Sequence, residues 1–284
     1  MKYKRIIAKL DIKGPNLVKG IHMEGLRVIG NPELFAKYYY ENGIDEIIYQ
    51  DVVASLFQRN SIIKTIKKTA KQTLVPLTVG GGIRSIKDIY EILNSGADKV
   101  SINTITIKNP RFIDLASKKF GSSTIVVAIE ASIFPDNKYY ALTDNGREET
   151  KKEVVNWAKE IEKRGAGEIL LTSIDKEGTG EGFDIRLVNA VSRAVKIPVI
   201  AHGGAGNYQD IEKILKTTKT DGAAISSLLH YGSLRKIKNN HTNSVEGNTE
   251  FIKNYNDFKN FGKYNLKDLK KFLINNKILT RPIR

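Results

Sequence analysis

The chain has 284 residues, 40% of them hydrophobic, no cysteine and a formal net charge of +15. The absence of cysteine excludes disulfides, thiolate metal sites and a cysteine nucleophile, and it fits a reducing compartment. The positive charge invites nucleic acid, but the lysines are scattered over helices (Lys64, Lys67, Lys68, Lys71, Lys118, Lys119) without an aromatic platform or a binding motif, so solvated helix faces that attract anionic metabolites are expected.

Met1 to Lys9 is too short an apolar run for a signal peptide, and no run reaches membrane-spanning length, so a cytoplasmic protein is expected. Arg5 to Ile12 reads as a strand ending in Asp11, followed by a loop with Gly14, Pro15, Lys19 and Gly20. Pro32 to Asn42 is helical, and Gly43 stops it. Strands follow at Glu46 to Asp51, Leu74 to Val79 and Asp98 to Ile102, alternating with helices at Ile62 to Lys71, Ile86 to Leu93 and Phe112 to Phe120. The second half repeats that order. Strands are expected at Thr124 to Glu130, Glu168 to Thr172, Pro198 to Ala201 and Gly222 to Ser226. Helices are expected at Glu148 to Arg164, Ile185 to Ala194, Tyr208 to Leu215 and, last, Leu266 to Ile274.

Eight alternating units predict a single (βα)8 barrel, an α/β fold of the TIM-barrel class, made of two half-barrels at about 1–121 and 122–232. An insertion at about 233–264 and a final helix at about 265–276 complete it. The insertion is rich in Lys and Asn and longer than an ordinary loop, so it reads as a surface excursion or as a lid or partner-docking element on the catalytic face.

One stretch occurs twice. Val75 to Ser85, running on to Asp98–Thr104, returns as Ile197 to Gly206, running on to Asp221–Ser227. Pro76 matches Pro198, Gly81-Gly82 matches Gly203-Gly204, and Asn103-Thr104 falls on Ser226-Ser227. Glycines followed by a helix N-terminus let backbone amides approach an anion, so two phosphate cradles are expected.

Active residues of such barrels lie at strand C-termini. Those ends are Asp11, Asp51, Gly82, Asn103-Thr104, Glu130, Thr172 with Asp175 and Glu177, Gly203-Gly204 and Ser226-Ser227. Asp11 and Glu130 then oppose each other between the cradles, where two carboxylates serve as acid and base if their environments separate their pKa values. At the other end of the barrel, the inward parity of Arg5, Glu46, Lys99 and Glu168 predicts a closed ring of paired charges, a structural plug or a gate.

These motifs, together with Leu17-Val-Lys-Gly20, Gly165 to Asp175 and His202-Gly-Gly-Ala-Gly206, resemble the cyclase subunit of imidazole glycerol phosphate synthase over residues 3 to 232 and the final helix. The resemblance implies a histidine-biosynthesis enzyme that takes ammonia from a glutaminase subunit docked at the N-terminal barrel face. It would convert a bisphosphorylated formimino-carboxamide ribonucleotide to imidazole glycerol phosphate and an aminoimidazole carboxamide ribotide, with no cofactor, no metal, no nucleic acid and no membrane. It implies Asp11 and Glu130 as catalytic, and Lys19 as part of a mobile first loop. Gly82, Asn103 and Thr104 would hold one phosphate and Gly178, Gly204, Ser226 and Ser227 the other. Arg5, Glu46, Lys99 and Glu168 would form the ammonia gate, and Asp98 would touch the glutaminase.

Four positions depart from the family pattern. Glu130 and Glu177 stand where aspartates are expected, Lys9 stands where a cysteine is usual, and Gln50 adds a polar group to the channel. A buried lysine needs a counter-ion, and Glu130, then Asp51, are the expected partners of Lys9, a pairing that would lower the carboxylate's pKa. These departures support an alternative, a diverged paralogue that supplies ammonia or a scaffold for sugar amidation in surface-polysaccharide synthesis. The related phosphoribosyl isomerase is disfavoured because the ring and Asp98 belong to the ammonia-using branch.

Overall fold

A computed structural model describes residues 2–53, 60–234, 236–237 and 264–283. Its centre is eight parallel strands: β1 (Arg5–Lys13), β4 (Glu46–Asp51), β5 (Leu77–Gly80), β6 (Lys99–Ile102), β7 (Ile125–Ile133), β10 (Glu168–Ser173), β11 (Val199–His202) and β12 (Gly222–Ile225). Each pairs with the next, β12 returns to β1, and β7 pairs β10, so the sheet closes into a barrel without a free edge. The expected (βα)8 barrel is the observed fold.

Two hairpins were not anticipated. Strands β2 (Asn16–Ile21) and β3 (Glu24–Gly30) stand where a loop was expected. Strands β8 (Tyr139–Thr143) and β9 (Glu148–Glu153) replace the start of the helix expected at Glu148, leaving α6 at Val154–Lys163. Both hairpins pair antiparallel with the C-terminal end of the strand before them, β2 with β1 and β8 with β7. They occupy matching places in the two halves, which extends the internal repeat to three dimensions.

The helices between strands are α1 (Pro32–Glu41), α2 (Asn60–Ala70), α3 (Ile86–Asn94), α4 (Thr104–Lys108), α5 (Arg111–Phe120), α6, α7 (Ile185–Ala194), α8 (Tyr208–Thr217) and α9 (Ser227–Ser233), with α10 (Leu266–Asn275) last. Apolar residues at helical spacing lay each against the barrel. In α6 these are Val154, Trp157, Ala158 and Ile161, all buried. The halves reuse their start signals: Ser85 with Asp88 and Asn207 with Asp210 form capping boxes on α3 and α8.

Inside the barrel, Ile7, Ile48, Val126, Ala128, Leu170, Ile200 and Ala224 form a separate buried layer. They are the inward residues of alternate strand positions. Polar groups lie above and below this layer. Helix α10 is fastened at the N-terminal end by Lys270, whose Nζ lies 2.6 Å from Asp45 Oδ1, while Asp45 Oδ2 accepts the Ile6 amide at 2.8 Å. Most of the insertion, residue 235 and residues 238–263, lies outside the described residues, and so does the expectation of a lid or docking element there.

Candidate active site

At the N-terminal end, Arg5, Glu46, Lys99 and Glu168 close the expected ring. Arg5 Nη1 is 2.8 Å from Glu46 Oε1, Lys99 Nζ is 3.3 Å from Glu46 Oε2 and 3.0 Å from Glu168 Oε2, and Arg5 Nη2 bonds Glu168. Each cation touches both carboxylates. Burial alone would weaken the Arg5 charge, but Glu168 and Glu46 outweigh it and raise its pKa above the ordinary arginine value. Asp98 sits beside the ring at the surface, and its Oδ2 accepts the Leu77 amide at 2.8 Å. A surface cavity of about 610 Å³ on this face is lined by Tyr3, Arg5, Lys99, Glu168, Pro198 and Asp221, among others.

At the opposite end, β1 carries Lys9 and Asp11 on one face, two residues apart. The Lys9 partner is Asp11, and neither expected partner, Glu130 or Asp51, takes that place. Lys19 on β2 is fully enclosed, with Nζ 3.2 Å from Asp11 Oδ2 and also bonded to Glu177. The result is an alternating chain, Lys9, Asp11, Lys19, Glu177, with every member buried. Burial alone would raise the Asp11 pKa, but Lys9 and Lys19 outweigh it and hold this carboxyl well below its usual range. Burial would likewise lower Lys19, and Glu177 and Asp11 outweigh it, raising that ammonium above its usual range.

Glu130, at the end of β7, has different surroundings. Its Oε2 accepts the Gly146 amide, from the turn between β8 and β9, at 2.9 Å. Burial is the largest effect and pushes its pKa up to about 7, against the pull of Lys9 and the Gly146 amide. The expected lowering of Glu130 is therefore reversed: burial outweighs the pull of Lys9, whose ammonium is bonded to Asp11 and not to Glu130.

The repeated glycine stretches take matching conformations. Gly81 and Gly203 have φ of 101° and 97°, a region closed to ordinary side chains. A Cβ on either would fall 2.2 Å from the Asp51 carbonyl oxygen and 2.6 Å from that of Ser173, the last residues of the preceding strands. Asn103 and Ser226, which lead into α4 and α9, share an unusual backbone (φ −131°, ψ −86° and φ −118°, ψ −89°) and do not cap their own helices. Neither residue thus gives the first-turn amides of its helix a side-chain acceptor.

The two cradles differ in openness. Gly82, Asn103 and Thr104 line a cavity of about 520 Å³ together with Gln50, Asp51, Arg84, Ser101, Lys108, Glu130 and Arg147. Within it, Ser101 Oγ and Asn103 Oδ1 are buried without a hydrogen-bond partner among the described residues. Such groups favour a polar ligand. Gly178, Gly204, Ser226 and Ser227 line a slot of about 10 Å³ with His202 and Glu177. The first hairpin closes over that slot. The His22 amide donates to the Glu177 carbonyl at 2.9 Å, the Met23 amide to Glu177 Oε2 at 3.3 Å, and Asn145 Nδ2 to the Met23 carbonyl at 3.3 Å.

Sequence reasoning missed two histidines. The Lys9 carbonyl accepts from Ser226 Oγ at 2.7 Å and from His230 Nε2 at 2.9 Å. A carbonyl only accepts, so His230 carries its proton on Nε2, and its Nδ1 accepts from Tyr39 Oη at 2.7 Å. Ser226 has spent its proton, so His202 Nε2 donates to it at 3.3 Å, and His202 Nδ1 accepts from Thr172 Oγ1 at 3.2 Å. Burial, then Lys9 and Lys19, pushes the His202 pKa well below its usual value, and burial takes His230 down to about 3. Both are neutral hydrogen-bond relays.

Fold and site together define a (βα)8 barrel with a charged ring at one end and, at the other, two repeated glycine cradles flanking opposed carboxyl groups. The chain belongs to the histidine biosynthesis protein family, which matches residues 5–235. It is 54% identical over 210 residues to the imidazole glycerol phosphate synthase subunit HisF of Legionella pneumophila, covering 74% of this chain and 99% of that one. It is 45% identical over 232 residues to the protein of the same name from Bacillus cereus, covering 82% and 92%, and 49% identical over 233 residues to that of Lactococcus lactis, covering 82% and 90%. No helix among the described residues is long and apolar enough to cross a membrane.

Proposed function

We propose that this chain is the cyclase subunit of imidazole glycerol phosphate synthase, acting in the cytoplasm with a glutaminase partner at its N-terminal face. The observation that carries this reading is the arrangement of the mouth: two cradles of matching backbone geometry bracket Asp11 and Glu130. A ligand with a phosphate at each end would lie across the barrel, its reacting centre between the two carboxyls. Gly82, Asn103 and Thr104 take one phosphate. Gly178, Gly204, Ser226 and Ser227 take the other once the first hairpin lifts. Lys19, held between Asp11 and Glu177, moves with that hairpin.

Ammonia from the partner, docked near Asp98, passes the ring of Arg5, Glu46, Lys99 and Glu168 and reaches the bisphosphorylated formimino-carboxamide ribonucleotide. Asp11 and Glu130 handle the protons released and consumed as the imidazole ring closes. The products are imidazole glycerol phosphate and an aminoimidazole carboxamide ribotide. Turnover of that ribonucleotide with ammonium salts, followed by turnover with glutamine and the glutaminase subunit, tests the reading in two stages.

One observation favours a second reading, a scaffold or ammonia supplier for sugar amidation: Lys9 places an ammonium group in the barrel interior against a carboxylate the cyclase reaction would use. Growth of a cyclase-deficient histidine auxotroph on this chain alone would rule that reading out.

A further inference from the structure

Gln50 departs from the family pattern, and the cyclase reading gives it no task. It stands on β4 two residues above Ile48 of the apolar layer, and it lines the 520 Å³ cavity that Glu130 also lines. Its side-chain amide makes no hydrogen bond among the described residues. We propose, on the basis of the cyclase reading, that Gln50 and Ser101 form a subsite that binds the ligand's carboxamide, beside the reacting formimino group.

Three neighbouring strands build the subsite. Gln50 on β4 is in register with Gly80 on β5, and Gly80 with Ser101 on β6, so the three positions form one row across the inner wall of the barrel. Gly80 keeps the middle of that row bare. A Cβ there would collide with Gln50 Oε1 and fall 2.9 Å from Ser101 Cβ, so the glutamine amide and the serine come together over the glycine backbone. Ser101 is only 3% exposed and lines the same cavity, and its Oγ is buried with no hydrogen-bond partner among the described residues. A buried hydroxyl in that state calls for a polar partner, and the cavity is where a ligand would bring one.

The donors and acceptors along this wall select the ligand group. Gln50 offers one acceptor and two N–H donors, and Ser101 one donor and an acceptor, without charge on either. A primary carboxamide matches that set, with one acceptor and two N–H donors of its own. Asn103, just past the end of β6, settles which part of the ligand lies where. Its Nδ2 donates to the Leu142 carbonyl at 3.1 Å, which fixes Oδ1 as a buried acceptor without a partner among the described residues. A fully ionised phosphate only accepts, so it cannot satisfy that oxygen, whereas a hydroxyl of the adjoining sugar can. Ser101 stands two residues deeper than Asn103, toward the apolar layer. The order from rim to interior is therefore phosphate, sugar hydroxyl at Asn103, and carboxamide at Ser101 and Gln50. This is the order of the groups along a carboxamide ribotide.

Calorimetric titration with two monophosphate probes tests this without turnover: aminoimidazole carboxamide ribotide, and aminoimidazole ribotide, which lacks the carboxamide. The wild-type protein is expected to bind the first about tenfold tighter or more, because the second leaves Gln50 and Ser101 unpaired. In Gln50→Leu that ratio falls to near one, and Ser101→Ala lowers it, while inorganic phosphate binds all three proteins alike. A merely structural glutamine would leave the ratio in place. A ratio near one in the wild type, or an unchanged ratio in Gln50→Leu, would overturn the proposal and leave the cyclase reading standing. Binding of inorganic phosphate with no binding of either ribotide would overturn both. If Gln50→Leu fails to fold, the wild-type ratio and Ser101→Ala still decide, and an unchanged ratio in Ser101→Ala then counts against the subsite.

Discussion

Lys9 and Asp11, two residues apart on one strand, meet inside the barrel as an ion pair that is about 95% hidden from solvent. Same-face neighbours on a strand are the nearest partners available, and this pair needs no other element to form it. Removing the anion would leave two buried ammonium groups facing each other. Breaking a buried pair costs about 3–5 kcal/mol, so Asp11→Asn is expected to lower unfolding free energy by that amount in urea titrations. The depressed Asp11 pKa gives this stabilisation a pH signature. It is present above the unfolded aspartate value of 3.8 and is lost as pH falls through the lower folded value.

Glu130 has the opposite sign. Its folded pKa of about 7 lies above its ordinary value of 4.5, so the folded state prefers the protonated carboxyl. Stability is full below pH 4.5 and declines as pH rises through 7, by about 3 kcal/mol. Glu130→Gln keeps an acceptor for the Gly146 amide and removes the titration. Chemical denaturation across pH 4.5 to 8 is expected to show the variant gaining on the wild type as pH rises, with the gap closing at the acid end.

Gly204 has a φ of 105°, and a Cβ there would lie 2.1 Å from the Gly182 carbonyl oxygen. Gly204→Ala is expected to displace the loop after β10, destabilise the fold by about 1–3 kcal/mol and weaken phosphate binding at the second cradle. Calorimetric titration with inorganic phosphate, with Asn103→Ala as a probe of the first cradle, separates the two ends.

The charged ring predicts an uncoupling. Arg5→Ala leaves Glu46 and Glu168 with Lys99 alone, and a loss toward the lower end of the 3–5 kcal/mol range is expected because Arg5 is a quarter exposed. Under the proposed function, the ratio of glutamine-driven to ammonium-driven turnover should fall several-fold. An unchanged ratio would make the ring a structural plug.

Much of this was legible in the chain because it depends on period and spacing. Alternating strands and helices at regular intervals, a repeated Gly-Gly at strand ends, and inward parity at four strand starts led directly to the barrel, the cradles and the ring. The second hairpin was not legible. Glu148-Glu-Thr-Lys-Lys-Glu153 has no apolar alternation, so a strand that turns away from the core reads as a charged helix start. Opposite charges across the barrel point to Glu130 or Asp51 as the Lys9 partner, whereas the nearest same-face carboxylate, Asp11, stands two residues along the strand. The linked histidines escaped for a different reason: His202 and His230 meet only through Ser226 and the Lys9 carbonyl, contacts between distant residues that no local pattern announces.

The central claim is that the mouth between the cradles performs a cyclase reaction. Incubation of the folded protein with the bisphosphorylated formimino-carboxamide ribonucleotide and ammonium salt measures it most directly. The account predicts stoichiometric release of imidazole glycerol phosphate and aminoimidazole carboxamide ribotide, lost in Glu130→Gln. Binding of the ribonucleotide with no product at any ammonium concentration would contradict it.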